Sequence, residues 1–190
     1  MREEPAQIED TLRAAQQGSR GAFADLVESH QSMVYSLLVH MLGEEAVAEE
    51  IAQDVFLELH KNLDAIDSAV HLARWLRTVA SRRGIDEVRR RRFRSPYGIE
   101  DLPEPRIEPR VHDVMLSAQV RRMLERLPAR HRAIVVLRYQ EDLEPGEIAV
   151  QLEMPVATVK STLHRALGML RRACQRTGLG GREFSKREAV

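Results

Sequence analysis

The sequence of 190 residues is short of several features, and each shortage excludes a class of protein. It has a single cysteine, Cys174, so no disulfide can form within the chain, which fits a reducing compartment. Aromatic residues make up only 4% of the chain and alternating β-branched segments are rare, so a β-sheet protein is not supported. No apolar run approaches the length of a membrane span, and the first ten residues lack the basic-then-apolar order of a secretion signal. We therefore expect an all-α cytoplasmic protein with no direct membrane insertion.

The chain also lacks an excess of charge of either sign, and it lacks the common metal-binding motifs. Lys+Arg 29 balance Asp+Glu 29, which excludes a uniformly basic coat for nucleic acid. The seven histidines show neither the HExxH pattern nor a Cys/His zinc spacing, so we expect no metal ion and no cofactor. The chain has strong local asymmetry instead: residues 44–67 hold eight acids and one base, and residues 74–94 hold nine bases and two acids. Any affinity for DNA must come from such local segments.

The clearest pattern lies at residues 147–166, EIAVQLEMPVATVKSTLHRA, which predict two short helices joined by a tight turn. Pro155 disfavours helix in the residue before it, so the second helix should begin near Val156. Outside the apolar stripe of that helix the residues are small, polar and basic, as a DNA-recognition helix needs for phosphates and base edges. The alternative is a solvated amphipathic helix in a bundle. The residues outside the stripe are Thr158, Lys160, Ser161, Thr162, His164 and Arg165.

Apolar spacing in the first half predicts four helices, at residues 8–17, about 20–42, 44–63 and 72–88. Gly18 is predicted to end the first helix and Gly43 the second. The helix at 72–88 either continues through Gly84 or breaks there. Residues 64–70 are predicted as a loop in which Asp67 or Ser68 caps the next helix. The helix at 44–63 has an outward acidic stripe, which is either a docking surface for a basic partner or a plain solvated face. The stripe comprises Glu50, Gln53, Asp54, Leu57, Glu58 and Lys61.

Residues 95–111 hold four prolines and few periodic apolar residues, so they predict a semi-extended linker between two domains. Beyond it, helices are predicted at residues 113–127, with an apolar set that includes Val120, and at 129–139. The glycine-containing tail after Thr177 is predicted to fray.

Together these motifs resemble a bacterial sigma factor of the extracytoplasmic-function (ECF) group. Residues 48–63, AEEIAQDVFLELHKNL, resemble its core-polymerase-binding helix, and residues 75–92, WLRTVASRRGIDEVRRRR, its promoter-melting and minus-ten helix. LERLPARHRAIVVLRY at residues 124–139, followed by the 147–166 segment, is similar to its minus-thirty-five-binding domain. The resemblance implies a sigma2-like helical bundle at residues 1–94, a Pro-rich linker at 95–112, a sigma4-like helix-turn-helix domain at 113–176 and a flexible tail at 177–190.

The resemblance also implies partners and residue roles. The chain would bind core RNA polymerase at the coiled coil of the largest subunit and at the flap, recognise promoter DNA, help to melt the minus-ten region and be inhibited by an anti-sigma factor. Its action would be physical and not catalytic. The loop at residues 64–70 would receive an everted base of the non-template strand, and Trp75 would anchor its helix in the core. The implied polymerase-binding residues are Glu50, Gln53, Asp54 and Leu57; the implied minus-ten residues are Asp67, Ser68, Arg74, Arg77, Arg82 and Arg83; and the implied minus-thirty-five residues are Thr158, Lys160, Ser161, His164 and Arg165.

Four positions depart from the family pattern. Arg82 stands where the family usually has Asn, and Ile66 where the base-binding loop often has an aromatic residue, so the resemblance does not supply a promoter sequence. Thr162 stands where Arg is common. Glu153 stands where the turn often has Gly, which implies modest backbone strain at a positive φ.

Two other functions are compatible with parts of the sequence. An all-α nucleotide pyrophosphohydrolase could hold Mg²⁺ between the carboxylate pairs Glu45/Glu49 and Glu50/Asp54, and magnesium-dependent hydrolysis would identify it. A conventional operator-binding regulator would use only the second half, and stable specific binding to duplex DNA without polymerase would identify it.

Overall fold

The structure, a computed structural model, describes residues 5–94 and 112–176, and within them the side chains of residues 7–91 and 119–175. The regular elements of these ranges are α-helices and one 3₁₀ turn, which confirms the all-α prediction. None of the described helices is long and apolar enough to cross a membrane. The predicted linker and tail lie outside the described residues. The helices are α1 (Pro5–Gln16), α2 (Arg20–Leu42), α3 (Glu45–Lys61), α4 (Ala69–Arg94), α5 (His112–Glu125), α6 (Ala129–Tyr139), α7 (Pro145–Gln151) and α8 (Val156–Arg176), with the 3₁₀ turn at Leu63–Ala65.

The two predicted glycine stops in the first half are confirmed. Gly18 follows α1 with φ 91°, and Gly43 ends α2 with φ 76°, a left-handed conformation that glycine adopts without steric cost. Between them, the Ser19 hydroxyl accepts a hydrogen bond from the Ala22 N–H and caps α2. The boundaries of the longest buried helix therefore follow from local sequence.

Helix α4 is longer than its apolar spacing predicts. It runs through Gly84 without a break, and the absence of a side chain there lets α2 approach closely, because a Cβ at Gly84 would lie 2.9 Å from the Met41 Cε atom. It also begins at Ala69, so the prediction of a loop up to Val70 is wrong at its end. Of the two candidate caps, the Ser68 hydroxyl is the one that accepts from the backbone, from the His71 N–H at 3.2 Å.

The first four helices form one bundle whose core lies between α2, α3 and α4. Leu37, Leu38, Leu72 and Leu76 are fully buried in it. Trp75 is half-buried and packs against this core, as expected for an anchor of α4. These contacts fix the relative orientation of α3 and α4, the two helices that carry most of the charge asymmetry.

The second half packs α7 and α8 around α6, in which residues 133–137 are buried. Two predictions are wrong here. Thr162, predicted on the outward face of α8, is buried, and Val120, predicted in the apolar set of α5, is 43% exposed. Val120 lies three and four residues before the buried Met123 and Leu124, so its exposure is decided by which neighbouring helices reach it and not by its own helix. Helix α5 also ends at Glu125, two residues earlier than predicted.

The two halves pack directly against each other, which no sequence pattern predicted. The buried guanidinium of Arg132 donates to the backbone carbonyls of Met41 in α2, of Glu125 at the end of α5 and of Leu127 just beyond it. The Gln140 amide donates to the Ser36 hydroxyl of α2 at 2.7 Å. One hydrophobic core therefore runs continuously from α2 into α6.

Candidate nucleic-acid and protein interfaces

Helix α3 presents the predicted docking surface on its solvent side. Glu50, Gln53, Asp54 and Leu57 recur at spacings of three and four residues, and all four side chains are exposed. Leu57 is 59% exposed in spite of its size, and carboxylates lie on the same face. An exposed leucine rimmed by acids suits a partner that is apolar at its centre and basic at its edge.

The Arg83 side chain of α4 lies on this acidic surface of α3, apart from the other arginines predicted to contact the minus-ten region. Its guanidinium donates to the Glu58 carboxylate at 2.6 Å and to the Asp54 carboxylate at 3.2 Å. Successive residues of an α-helix point about 100° apart, so Arg82 and Arg83 face different sides. The structure therefore separates Arg83 from the rest of the predicted minus-ten set.

Two of the other arginines in the predicted minus-ten set, Arg77 and Arg82, face the second half of the chain. Arg77 donates to the Glu141 carboxylate at 2.8 Å, and the Glu141 side chain is only 7% exposed. Arg82 forms an ion pair with Glu153 at 2.6 Å, in which both side chains are at least half exposed. Arg74 is exposed to solvent. Two of the arginines predicted to contact DNA are thus paired with glutamates that sequence reasoning did not connect to them.

The segment between α3 and α4 turns its apolar side chain inward and its polar ones outward. Ile66 is 2% exposed and sits in the core, so its side chain is not available to stack on a base. The Asp67 side chain is 80% exposed, accepts a hydrogen bond from the Ser68 hydroxyl at 3.1 Å and lies 2.8 Å from the His71 Nδ1 atom. The Ser68 hydroxyl, with His71 beside it, lowers the pKa of Asp67. The two predicted minus-ten residues of the segment, Asp67 and Ser68, are therefore next to each other at the surface.

The turn between α7 and α8 has the geometry that the sequence predicted. Glu153 has φ 52°, a left-handed conformation that disfavours residues with a side chain, so the predicted positive φ is confirmed. Val150 and Val156 are exposed on either side of the turn and, with Met154 and Pro155, line an open apolar notch. This fixed turn sets the angle at which α8 leaves α7.

Helix α8 carries its predicted DNA-facing residues on one exposed side. All of them are exposed, and the Ser161 hydroxyl donates to the Thr158 carbonyl at 3.1 Å within the first turns. Thr162 is absent from this face because it points into the core. Burial, and then the positive charge of Arg165, lower the pKa of His131, which lies on α6 beneath this helix. The residues of the face are Thr158, Lys160, Ser161, His164 and Arg165.

The acidic pairs of α3 do not converge on a common point. Glu45, Glu49, Glu50 and Asp54 are all exposed along the helix. Within the two described ranges, no three His, Cys, Asp or Glu side chains are grouped so that they could hold a metal ion.

Comparison with known proteins identifies both halves. The family model of Sigma-70 region 2 matches residues 26–94, and that of Sigma-70 region 4 matches residues 117–170. The chain is 30% identical over 182 residues to the ECF RNA polymerase sigma factor SigW of Bacillus subtilis (strain 168), a match that covers 87% of this chain and 95% of SigW. The chain belongs to the ECF sigma factors.

A second ECF sigma factor agrees with this assignment, and two solved structures share the fold. The chain is 31% identical over 158 residues to the sigma factor SigL of Mycobacterium tuberculosis (strain ATCC 25618 / H37Rv), with 81% of this chain and 89% of SigL covered. Its fold matches that of CnrH in complex with the cytosolic domain of CnrY, with a TM-score of 0.64 and 22% identity over 87% of this chain and 96% of CnrH. It also matches the sigma factor RpoE of Bartonella quintana, solved with the anti-sigma factor NepR, with a TM-score of 0.64 and 17% identity over 80% of this chain and 96% of RpoE. The resemblance inferred from the sequence is confirmed.

Proposed function

We propose that this ECF sigma factor binds core RNA polymerase, directs it to specific promoters and helps to melt the minus-ten region. The observation that carries the proposal is the presence, in one chain and in family order, of both sigma regions together with three separate surfaces, of which that of α4 is partly covered by the second half. These are the acidic and apolar face of α3, the basic face of α4 and the polar, basic face of α8. Each surface has its own chemistry and its own partner.

The α3 surface is proposed to bind the coiled coil of the largest polymerase subunit, with the flap as a second contact of the chain. Glu50, Gln53 and Asp54 supply charge and hydrogen-bonding groups, and Leu57 supplies the apolar centre that is covered on binding. Arg83 holds Asp54 and Glu58 in place from α4. We therefore propose that Arg83 supports the polymerase interface more than the DNA interface.

The α4 and α8 surfaces are proposed to bind promoter DNA. Arg74, Arg77 and Arg82, with Asp67 and Ser68, would contact the minus-ten region, and the five-residue face of α8 would read the minus-thirty-five element in the major groove. Each domain alone would bind weakly, but tethering both to one polymerase raises their effective concentration at the promoter. Melting costs a few kcal/mol per unstacked base, which stacking and arginine contacts offset. No covalent chemistry is required, so we expect the protein to have no enzymatic activity.

An anti-sigma factor is the proposed regulator. Bartonella quintana RpoE was solved with such a factor, and CnrH with the cytosolic domain of CnrY, and both share the fold of this chain. We expect the regulator to cover the α3 surface, because its exposed Leu57 would gain from burial and lies among carboxylates that suit a basic partner. We expect the protein to act in the cytoplasm, where RNA polymerase works.

Run-off transcription tests the proposal. The purified protein is added to sigma-free core polymerase with a library of genomic promoter fragments, and the transcripts are sequenced. We expect a small set of start sites that share two spaced elements and that are absent when the protein is omitted. If the protein does not associate with core polymerase, in the absence of any inhibitor, the proposal fails. Stable specific binding to duplex DNA without polymerase would favour the operator-binding regulator instead.

A further inference from the structure

The segment between α3 and α4 has a defined shape, although few of its side chains enter the core. Leu63 and Ile66 are buried, while Asp64, Ala65 and Asp67 are exposed. Within the segment the backbone makes only short-range hydrogen bonds, from the Ala65 N–H to the Asn62 carbonyl and from the Ile66 N–H to the Leu63 carbonyl. Short-range bonds of this kind do not fix how the segment sits on the bundle.

Helix α1 supplies long-range hydrogen bonds to this segment. The Gln16 side-chain amide donates to the carbonyls of both Leu63, at 3.1 Å, and Ile66, at 2.8 Å. Seven residues earlier, the Glu9 carboxylate accepts a hydrogen bond from the Ala69 N–H, the first residue of α4, at 2.8 Å. Each of these bonds joins residues that are 47 or more positions apart in sequence. Two side chains of α1 therefore hold both ends of the segment.

These polar contacts are separate from the packing of α1. The helix is anchored on the bundle by Leu12, which is 2% exposed, and by Ala15, which is 6% exposed. Gln16 and Glu9 are half-buried, and their side-chain bonds go to the segment and to the start of α4. Losing them would leave the bundle packed, with Leu63 and Ile66 still buried, while removing the long-range hydrogen bonds that orient the backbone of the segment.

We propose that Gln16 and Glu9 are positioning residues for promoter recognition, which hold residues 63–69 in the conformation that receives a minus-ten base. The inference rests on the proposed function, since it assumes that this segment contacts the minus-ten element. A pre-ordered segment binds one base without first giving up conformational freedom, and it leaves less tolerance for a wrong base. The residues act through the backbone of the segment, so their effect belongs to sequence discrimination and not to polymerase binding.

The test uses two adjacent glutamines. Gln16→Glu exchanges the amide group that donates to the two carbonyls for a carboxylate oxygen that cannot donate, and Gln17→Glu makes the same change at the exposed neighbour. Run-off transcription is measured on a promoter selected from the genomic library and on copies with a single base changed in the minus-ten element, with the minus-thirty-five element kept constant. For Gln16→Glu we expect the ratio of transcript from the selected promoter to transcript from the changed copies to fall about tenfold. For Gln17→Glu we expect the same transcript ratio as for the unmodified protein.

A second pair of variants and a second measurement separate positioning from misfolding. Glu9→Gln replaces the charged acceptor of the Ala69 N–H by a neutral amide oxygen, which weakens this bond and removes the negative charge at the start of α4, and Asp10→Asn makes the same change at its exposed neighbour. Affinity for core polymerase should stay within about twofold of the unmodified value in all four variants, because the α3 surface is unchanged. Glu9→Gln should reduce the discrimination ratio and Asp10→Asn should not.

The outcomes distinguish the two proposals. If the unmodified protein supports promoter-specific transcription and Gln16→Glu keeps its discrimination ratio, the positioning role is refuted and the sigma-factor function stands. A loss of polymerase affinity in Gln16→Glu that matches its loss of transcription also refutes positioning, because the defect is then in the fold. If the unmodified protein gives no promoter-specific transcript with core polymerase, both proposals fail.

Discussion

Arg132 is the most deeply buried cation with described contacts, and its partners are neutral. It is 4% exposed, its amino groups donate to three backbone carbonyls, and its Nε atom has no hydrogen-bond partner among the described residues. Burial lowers the pKa of Arg132 to about 10, so the group remains charged at neutral pH. A buried charge of this kind is stabilising only while all of its acceptors stay in place.

Replacing Arg132 should therefore destabilise the fold. We expect Arg132→Met to lower the free energy of unfolding by about 2–4 kcal/mol, because it leaves carbonyls at the ends of two helices without a donor. Urea denaturation followed by circular dichroism measures the change. Arg130→Met, at an exposed position of the same helix, is the control and should change stability by less than about 0.5 kcal/mol. Equal effects of the two substitutions would contradict the role assigned to Arg132.

The titration of His131, the neighbour of Arg132, should depend on the charge of Arg165 on α8. Its pKa is lowered by burial and by Arg165, so the folded protein binds this proton less readily than the unfolded chain does. The stability that neutral His131 contributes is therefore present above the unfolded value of about 6.5 and decreases as the pH falls below it. NMR titration of the imidazole ring should show that Arg165→Gln moves the pKa of His131 upward, towards its ordinary value. Lys160→Gln removes another charge of the same face and should leave the titration unchanged; an equal shift would contradict the assignment.

At the scale of helices, α3 offers the sharpest test of polymerase binding. Leu57 and Val70 are both exposed aliphatic residues, at 59% and 78%, but only Leu57 lies on the acidic face. We expect Leu57→Ala to weaken binding to core polymerase about tenfold and Val70→Ala to have no effect on it, with the stability of both unchanged. Affinity is measured by titrating labelled protein with core polymerase. Loss of affinity in both variants, or in neither, would contradict the assignment of the α3 surface.

Charge reversal at Asp54 is a less selective test of the same surface. Arg83 lies 3.2 Å from the Asp54 carboxylate, so an arginine at position 54 would face a second cation and disturb the packing of α3 on α4. Asp54→Asn removes the charge and keeps the shape. It should lower polymerase affinity by less than Leu57→Ala does, because the Asp54–Arg83 pair is exposed to solvent.

The helices themselves could be predicted because their signals are local. Apolar spacing identified α1 to α8, and glycines with a left-handed backbone at Gly18 and Gly43 gave two of the ends. Thr162 and Val120 were assigned to the wrong side because the neighbouring helices, and not their own helix, decide whether they are covered. Arg132 offered a signal that was not used: it lies three and four residues before the buried Val135 and Val136, on the apolar side of α6.

The candidate sites could be predicted one helix at a time, but their connections could not. The exposed faces of α3 and α8 follow from periodicity. The bonds from Arg132 to Met41 and from Arg77 to Glu141 span 91 and 64 residues, and Gln16 reaches Ile66 across 50. No pattern within a helix indicates which distant group will meet it, so the positioning role of α1 and the contact between the two halves emerged only in three dimensions.

At the scale of the whole molecule, the packing of the two halves occupies two of the arginines that we propose to contact promoter DNA. Glu141 is nearly buried against Arg77, and Glu153 pairs with Arg82. For these arginines to contact promoter phosphates, both pairs must open. The conformation described here is therefore one that binding to polymerase and DNA would shift towards a more open one.

Weakening one of these pairs should favour DNA binding. We expect Glu141→Gln to raise the affinity of the free protein for a forked minus-ten DNA about threefold to tenfold, because Arg77 no longer faces a carboxylate. Fluorescence anisotropy with labelled DNA measures it. Asp142→Asn changes the formal charge by the same amount at the adjacent residue, whose side chain is 99% exposed, and should have little effect. The same gain in both variants would show that net charge, and not release of Arg77, is responsible.

The internal pairing of Arg77 and Arg82 has a consequence for ionic strength. Each phosphate contact normally steepens the fall of affinity with salt, because bound cations leave the DNA. When an arginine must first leave a glutamate, the freed carboxylate attracts cations of its own, so fewer ions are released in total. A plot of log affinity against log salt for this protein will then understate how many phosphates it touches, and neutralising Glu141 and Glu153 together should make that plot steeper.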